Sequence, residues 1–136
     1  MRSSEVGLRF LTTSAQLRRA VDDHMAACGV SLARTKVLQV LARLGPVKQT
    51  DLATELGMAA RSITQAVEAL ERDGLVDRTA ADDRRAKVVT LTENGRGALA
   101  AGEAAGDEVL RSIFGRLSPA QLDTLDELLA VINETR

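Results

Sequence analysis

Three groups of side chains in this 136-residue chain have types and spacings that could do chemistry. His24 and Cys28 stand four residues apart, which on a helix presents an imidazole and a thiol on one face as a pair of metal ligands, with Asp22 and Asp23 nearby. Two such residues seldom make a site. The plainer reading is a half-buried histidine beside a small buried thiol, so no metal and no cofactor is expected. Arg61, Ser62, Thr64 and Gln65 are types that hydrogen-bond to base edges and phosphates. Asp83, Arg84 and Arg85 form a charged cluster suited to touching a polyanion. For catalysis there is no set to assemble. The chain has a single His, no nucleophile elbow and no phosphate loop, and its carboxylates fall at helix-surface spacings. It is not expected to be an enzyme.

Composition narrows the class further. Hydrophobic residues make up 45% and charged residues 27%, the balance of a soluble globular protein. There is no Trp or Tyr and only two Phe, so the core must be aliphatic, and the scarcity of aromatics weighs against modules that read single-stranded nucleic acid by base stacking. One cysteine excludes an intramolecular disulfide and any multi-cysteine zinc site. No apolar stretch approaches the ~20 residues of a membrane span. The N-terminus carries Arg2, Glu5 and Arg9 inside its apolar pattern, unlike a secretory signal. No membrane partner is expected, and the cytoplasm is the default compartment. The net charge is -1, unevenly spread. Residues 34–87 hold ten Lys and Arg against eight acids, whereas residues 88–136 hold four Arg against eight acids. The middle thus has the sign expected for touching a polyanion, by a small excess, and the last third is acidic.

The elements that must position these side chains are mostly helical. Leu11, Leu17, Val21 and Met25 recur at helical spacing up to Gly29. Ser31 can cap a second helix that Gly45-Pro46 stops. A short third helix with Leu52, Ala53 and Leu56 ends at Gly57. The fourth runs from about Ala60 to Arg72. At ~100° per residue, Ile63, Ala66, Val67 and Leu70 share one stripe. Arg61, Gln65, Glu68 and Arg72 share the opposite one, with Ser62 and Thr64 on the flanks. Glu68 and Arg72 are spaced to pair. Then the period changes. Leu75–Thr79 and Ala86–Leu91 are rich in β-branched residues and flank a charged segment, Ala80–Arg85, which predicts a hairpin with a charged tip. Thr92 can cap a long fifth helix. Ser118-Pro119-Ala120-Gln121 is a capping box opening a sixth, with Leu117 and Leu122 placed as a hydrophobic staple.

Two short helices, a tight turn and a two-stranded hairpin make a winged helix-turn-helix, so the fold class is mainly α with a small β wing. A helix ~10–12 Å across fits a major groove ~12 Å wide. The hairpin tip can reach the adjacent minor groove, whose negative potential favours Arg. At this point the residues carry a resemblance. The run Leu52-Ala53, Leu56-Gly57-Met58 and Ser62 through Val76 resembles the core of the MarR family of bacterial regulators. Asp83-Arg84-Arg85-Ala86-Lys87, followed by Leu91-Thr92-Glu93-Asn94-Gly95, resembles that family's wing, an Asp-x-Arg tip and a Leu-Thr-x-x-Gly exit. Lys48 and Ala59 stand where the family commonly has capping Ser or Thr, and Gln65 stands where Arg is common.

The resemblance implies a homodimer whose first and last helices interlock and whose two winged lobes grip a pseudo-palindromic operator in double-stranded DNA. One MarR-like domain then spans residues 1–136. Residues 1–30 and 96–136 are its dimerisation helices and residues 31–95 its winged lobe. Arg61, Ser62, Thr64 and Gln65 become DNA contacts, against the alternative of a solvated helix face. Asp83 braces Arg85 for the minor groove and Arg84 meets phosphate, against the alternative of a charged loop tip that resists aggregation. The expected function is a transcriptional regulator, a repressor relieved by a small-molecule effector. The alternatives are a winged-helix protein-interaction module and a constitutive DNA-binding regulator. Cys28 lies away from the place of the family's peroxide-sensing cysteine, and the chain has no second thiol to resolve an oxidised one.

Overall fold

The computed structural model describes residues 2–80 and 86–134. The helices fall where the local signals put them. They are α1 (Arg2–Ala27), α2 (Leu32–Leu44), α3 (Gln49–Leu56), α4 (Ala60–Arg72), α5 (Glu93–Phe114) and α6 (Pro119–Asn133). The Ser31 hydroxyl accepts from the Arg34 N–H and starts α2. Gly45 and Gly57, both at positive φ, stop α2 and α3. The capping box of α6 is complete: Gln121 N–H donates to Ser118 Oγ at 3.1 Å, and Ser118 N–H donates to Gln121 Oε1 at 2.9 Å. No side chain caps α3 at Lys48 or α4 at Ala59, as the residue types there imply.

The wing strands are β2 (Val76–Ala80) and β3 (Lys87–Leu91), antiparallel with Val76 opposite Leu91 and Ala80 opposite Lys87. A third strand, β1 (Val47–Lys48), pairs with the other edge of β3, so the sheet order is β1-β3-β2. The sequence reading has only the hairpin. Two residues after Gly45-Pro46 are too short a run to show a period of two, and β1 exists because β3 offers it an edge.

One aliphatic core joins these parts. Leu38 and Leu41 of α2, Leu52 of α3, Ile63, Val67 and Leu70 of α4 and Val76 and Val89 of the sheet are all buried. Each fully buried side chain of this size contributes ~1.5–3 kcal/mol relative to exposure. Ile63, Val67 and Leu70 lie on the predicted inner stripe of α4.

Two glycines let α5 approach closely. At Gly95 a Cβ would overlap the Leu75 carbonyl oxygen and Leu91 Cδ1, and at Gly102 it would overlap the Thr35 hydroxyl. Thr92 completes the junction. Its hydroxyl donates to Gly74 O at 2.7 Å and accepts from Gly95 N–H at 3.0 Å, while its own N–H donates to Leu75 O. The Leu-Thr-x-x-Gly segment is therefore a knot tying the end of α4, the wing and the start of α5 into one piece. No single described helix is long and apolar enough to cross a membrane.

Candidate nucleic-acid interface

The outward face of α4 is built from its own periodicity. Burying Ile63, Val67 and Leu70 turns Arg61, Ser62, Gln65, Glu68 and Arg72 to solvent, and all five are exposed. Glu68 and Arg72 form no ion pair, so the i,i+4 pairing that their spacing allows is unused among the described residues. Because Ala59 offers no cap, the first-turn N–H groups of α4 and the positive end of its dipole have no side-chain acceptor. Such an end is suited to a phosphate.

Thr64 differs from its neighbours. It is half-buried, and its hydroxyl donates to Ala60 O at 2.9 Å and accepts from Gln49 Nε2 at 2.8 Å. Gln49 opens α3, so this bond fixes the angle between the two helices of the helix-turn-helix. Gln49 Oε1 is buried without a partner among the described residues. Sequence spacing gave no sign of Gln49, since a contact across fifteen residues depends on how α3 meets α4.

Two ion pairs hold α4 from its other end. Arg78 of β2 donates through Nε at 3.2 Å and Nη2 at 2.9 Å to Glu71 Oε1, tying the wing to α4. The Arg78 hydrogen bond holds the Glu71 carboxyl below the usual carboxylate range. Arg34 of α2 pairs with Asp73, and its hydrogen bond likewise lowers the Asp73 pKa. Arg34 also donates to Ala69 O at 3.4 Å. These arginines hold α4 to α2 and β2 rather than join its outward face.

The tip residues Asp83, Arg84 and Arg85 lie outside the described residues. The strands that flank them, β2 and β3, are described and pair from Val76 opposite Leu91 to Ala80 opposite Lys87.

A cavity of about 800 Å³ opens where α1, α2 and α4 meet. Arg18, Arg19 and Arg34 stand on its wall, and Val37, Met58 and Leu70 give it apolar surface. Arg34 thus borders the cavity and holds the end of α4 at once.

Cys28 and His24 depart from the sequence expectation in one respect. The thiol is exposed, not buried, because it falls past the last turn of α1. His24 Nε2 lies 2.7 Å from Glu108 Oε2 on α5.

Comparison with known proteins agrees with this architecture. The family model described as the MarR family matches residues 30–87. The crystal structure of a probable transcriptional regulator from Pseudomonas aeruginosa is 32% identical, with a TM-score of 0.73 over 89% of this chain and 94% of that one. The HTH-type transcriptional regulator YfiV of Bacillus subtilis (strain 168) is 30% identical over 105 residues, 76% of this chain. That match spans 66% of the relative's own length. A mutant MarR from E. coli, complexed with operator DNA, shares the fold with a TM-score of 0.77 at 19% identity, covering 94% of this chain and 93% of that one.

Proposed function

The chain belongs to the MarR family of DNA-binding transcriptional regulators, and on that premise we propose that it is a homodimeric repressor that grips a pseudo-palindromic operator and lets go when a small molecule binds. The observation that carries this reading is the outward face of α4: Arg61, Ser62 and Gln65 exposed on a helix whose other face is locked into a closed core and whose N-terminus is uncapped. Each dimerisation arm (residues 1–30 and 96–136) brings one winged lobe (31–95) to a half-site, and the fold is one that the E. coli MarR mutant has in complex with operator DNA.

Within each half-site, Arg61, Ser62 and Gln65 face the major groove. Thr64 contributes through its hold on Gln49 and through its methyl group, because its hydroxyl already makes two hydrogen bonds. Gln65 reads adenine, donating to N7 and accepting from N6, where an arginine would select guanine. Asp83, Arg84 and Arg85 extend into the neighbouring minor groove and along its phosphates. The cavity bordered by Arg18, Arg19 and Arg34 favours ligand relief over a constitutive regulator. An effector with an apolar body and a negative charge suits that wall. By engaging Arg34 it competes with Asp73 and loosens the end of α4.

Selection from random duplexes followed by salt titration tests this reading. The wild type should recover an inverted repeat and bind it with a steep negative salt slope. Gln65→Ala should lose ~1–3 kcal/mol on that operator and relax one symmetric pair of positions. Arg85→Ala should weaken all duplexes alike and lower the slope by about one contact. No recovered motif and a flat slope would leave the interaction-module reading in its place. A reporter behind the recovered operator then reads the direction of control, and repression predicts lower expression when the protein is present.

A further inference from the structure

The last turn of α1 lies against the middle of α5. Met25 is 1% exposed, with its sulfur 3.9 Å from where a Cβ on Gly106 would stand. Next to Met25, three side chains of different chemistry converge: His24 near the end of α1, Cys28 just past it and Glu108 of α5. His24 Nε2 lies 2.7 Å from Glu108 Oε2, and Cys28 Sγ lies 3.8 Å from the same Nε2. One ligand-type atom from each of the three falls within 4.8 Å of the others. We propose that His24, Cys28 and Glu108 are the three protein ligands of a site for a divalent transition metal of the zinc class, with its fourth position open to water.

The geometry is close to what such an ion requires. Zinc binds imidazole nitrogen, thiolate and carboxylate at ~2.0–2.3 Å in a tetrahedron, so neighbouring ligand atoms sit ~3.3–3.8 Å apart. The Cys28–His24 separation already matches. The His24–Glu108 separation must open by somewhat over half an ångström, on the order of a small rotation of the glutamate. The Glu108 side chain is 67% exposed and has room for it. The donor set selects the metal class. A thiolate and an imidazole disfavour magnesium and calcium, while a mixed nitrogen, sulfur and oxygen set suits zinc and its neighbours. On binding, the thiol proton leaves to solvent and the imidazole proton moves to Nδ1, freeing the Nε2 lone pair. Three protein ligands with one open position is also the arrangement of an exchangeable site rather than a closed structural one. Such an ion would clamp the end of α1 to α5, beside the Gly29–Ser31 turn that enters the winged lobe.

Cobalt(II) titration of the untagged full chain, followed by zinc displacement, tests the assignment. The expected result is saturation at one equivalent per chain, with the strong visible bands of a tetrahedral site and a near-ultraviolet thiolate-to-cobalt band that one equivalent of zinc abolishes. Cys28→Ser should lose the charge-transfer band. His24→Gln and Glu108→Gln should each weaken binding at least ~10-fold. Zinc should raise the melting temperature of the wild type and leave that of Cys28→Ser unmoved. Circular dichroism of each variant without metal keeps a folding defect separate from a lost ligand. No saturable binding overturns the site. So does binding whose spectrum and affinity survive Cys28→Ser or His24→Gln, and an unaffected Glu108→Gln removes the third ligand and with it the proposal. Operator binding is not part of the readout, so the metal site can fail while the regulator reading stands, and the reverse.

Discussion

The winged lobe and the terminal helices are made of the same aliphatic residues and use them in opposite ways. In the lobe, α2, α3, α4 and the sheet direct their apolar stripes at one another, and Leu38, Leu41, Leu52, Ile63, Val67, Leu70, Val76 and Val89 are each at most 1% exposed. In α6 no residue is buried, and Leu122, Leu128, Val131 and Ile132 stand 39–60% exposed. The start of α1 is similar, with Val6, Leu8, Phe10 and Leu11 at 44–65%. A lobe that closes its own core holds the outward face of α4 in a fixed attitude. End helices that leave this much apolar surface uncovered have the character of an interface, because monomeric proteins seldom expose contiguous patches of that kind. In the proposed homodimer a symmetric second copy would cover them with the same surface.

Removing the ends should break that contrast most severely. Deletion of residues 119–136 is expected to give monomer or aggregate in sedimentation, with operator affinity lower by ~10²–10⁴-fold as the second half-site contact becomes independent. A stable dimer with unchanged DNA affinity would show that α6 is not the interface. Single truncations should then separate the two regions. Leu52→Ala, at 0% exposure, is expected to cost ~2–5 kcal/mol in denaturant unfolding at any protein concentration. Leu128→Ala should act only through association, so its midpoint shift should shrink as protein concentration rises. Equal, concentration-independent losses would mean that α6 packs on its own chain.

Gly95→Ala sharpens the comparison at the join between the regions. The new methyl meets the Leu75 carbonyl and Leu91, and the expected cost is ~1–3 kcal/mol, accompanied by loss of amide-exchange protection at Leu75 and Thr92. The smallest effect concerns the ion pairs that steady α4. Glu71 and Asp73 are both held below their ordinary values by Arg78 and Arg34, so the folded state takes up their protons less readily than the unfolded one. Their contribution is fully present above the ordinary carboxylate range and is lost as pH falls through the lowered folded values. Both are surface pairs, and the effect should be slight. Glu71→Gln should show a small stability loss at neutral pH that vanishes in acid, measured by denaturant melts across pH.

Features whose cause lies within one helical turn were legible in the residues alone. Ser31, Thr92 and Ser118 cap the helices they precede, and the inner stripe of α4 is the one that its spacing marks. Each follows from a side chain meeting backbone three residues away, or from the 3.6-residue period, and needs no knowledge of the rest of the chain. Tertiary structure alone decided the pairing of β1 with β3, the Thr64–Gln49 bond, the Arg78–Glu71 and Arg34–Asp73 holds, the exposure of Cys28 and the meeting of His24 with Glu108 across eighty-four positions. Those contacts join elements whose relative placement is set by how the whole core packs, and a linear sequence carries no local energy term that distinguishes one distant partner from another.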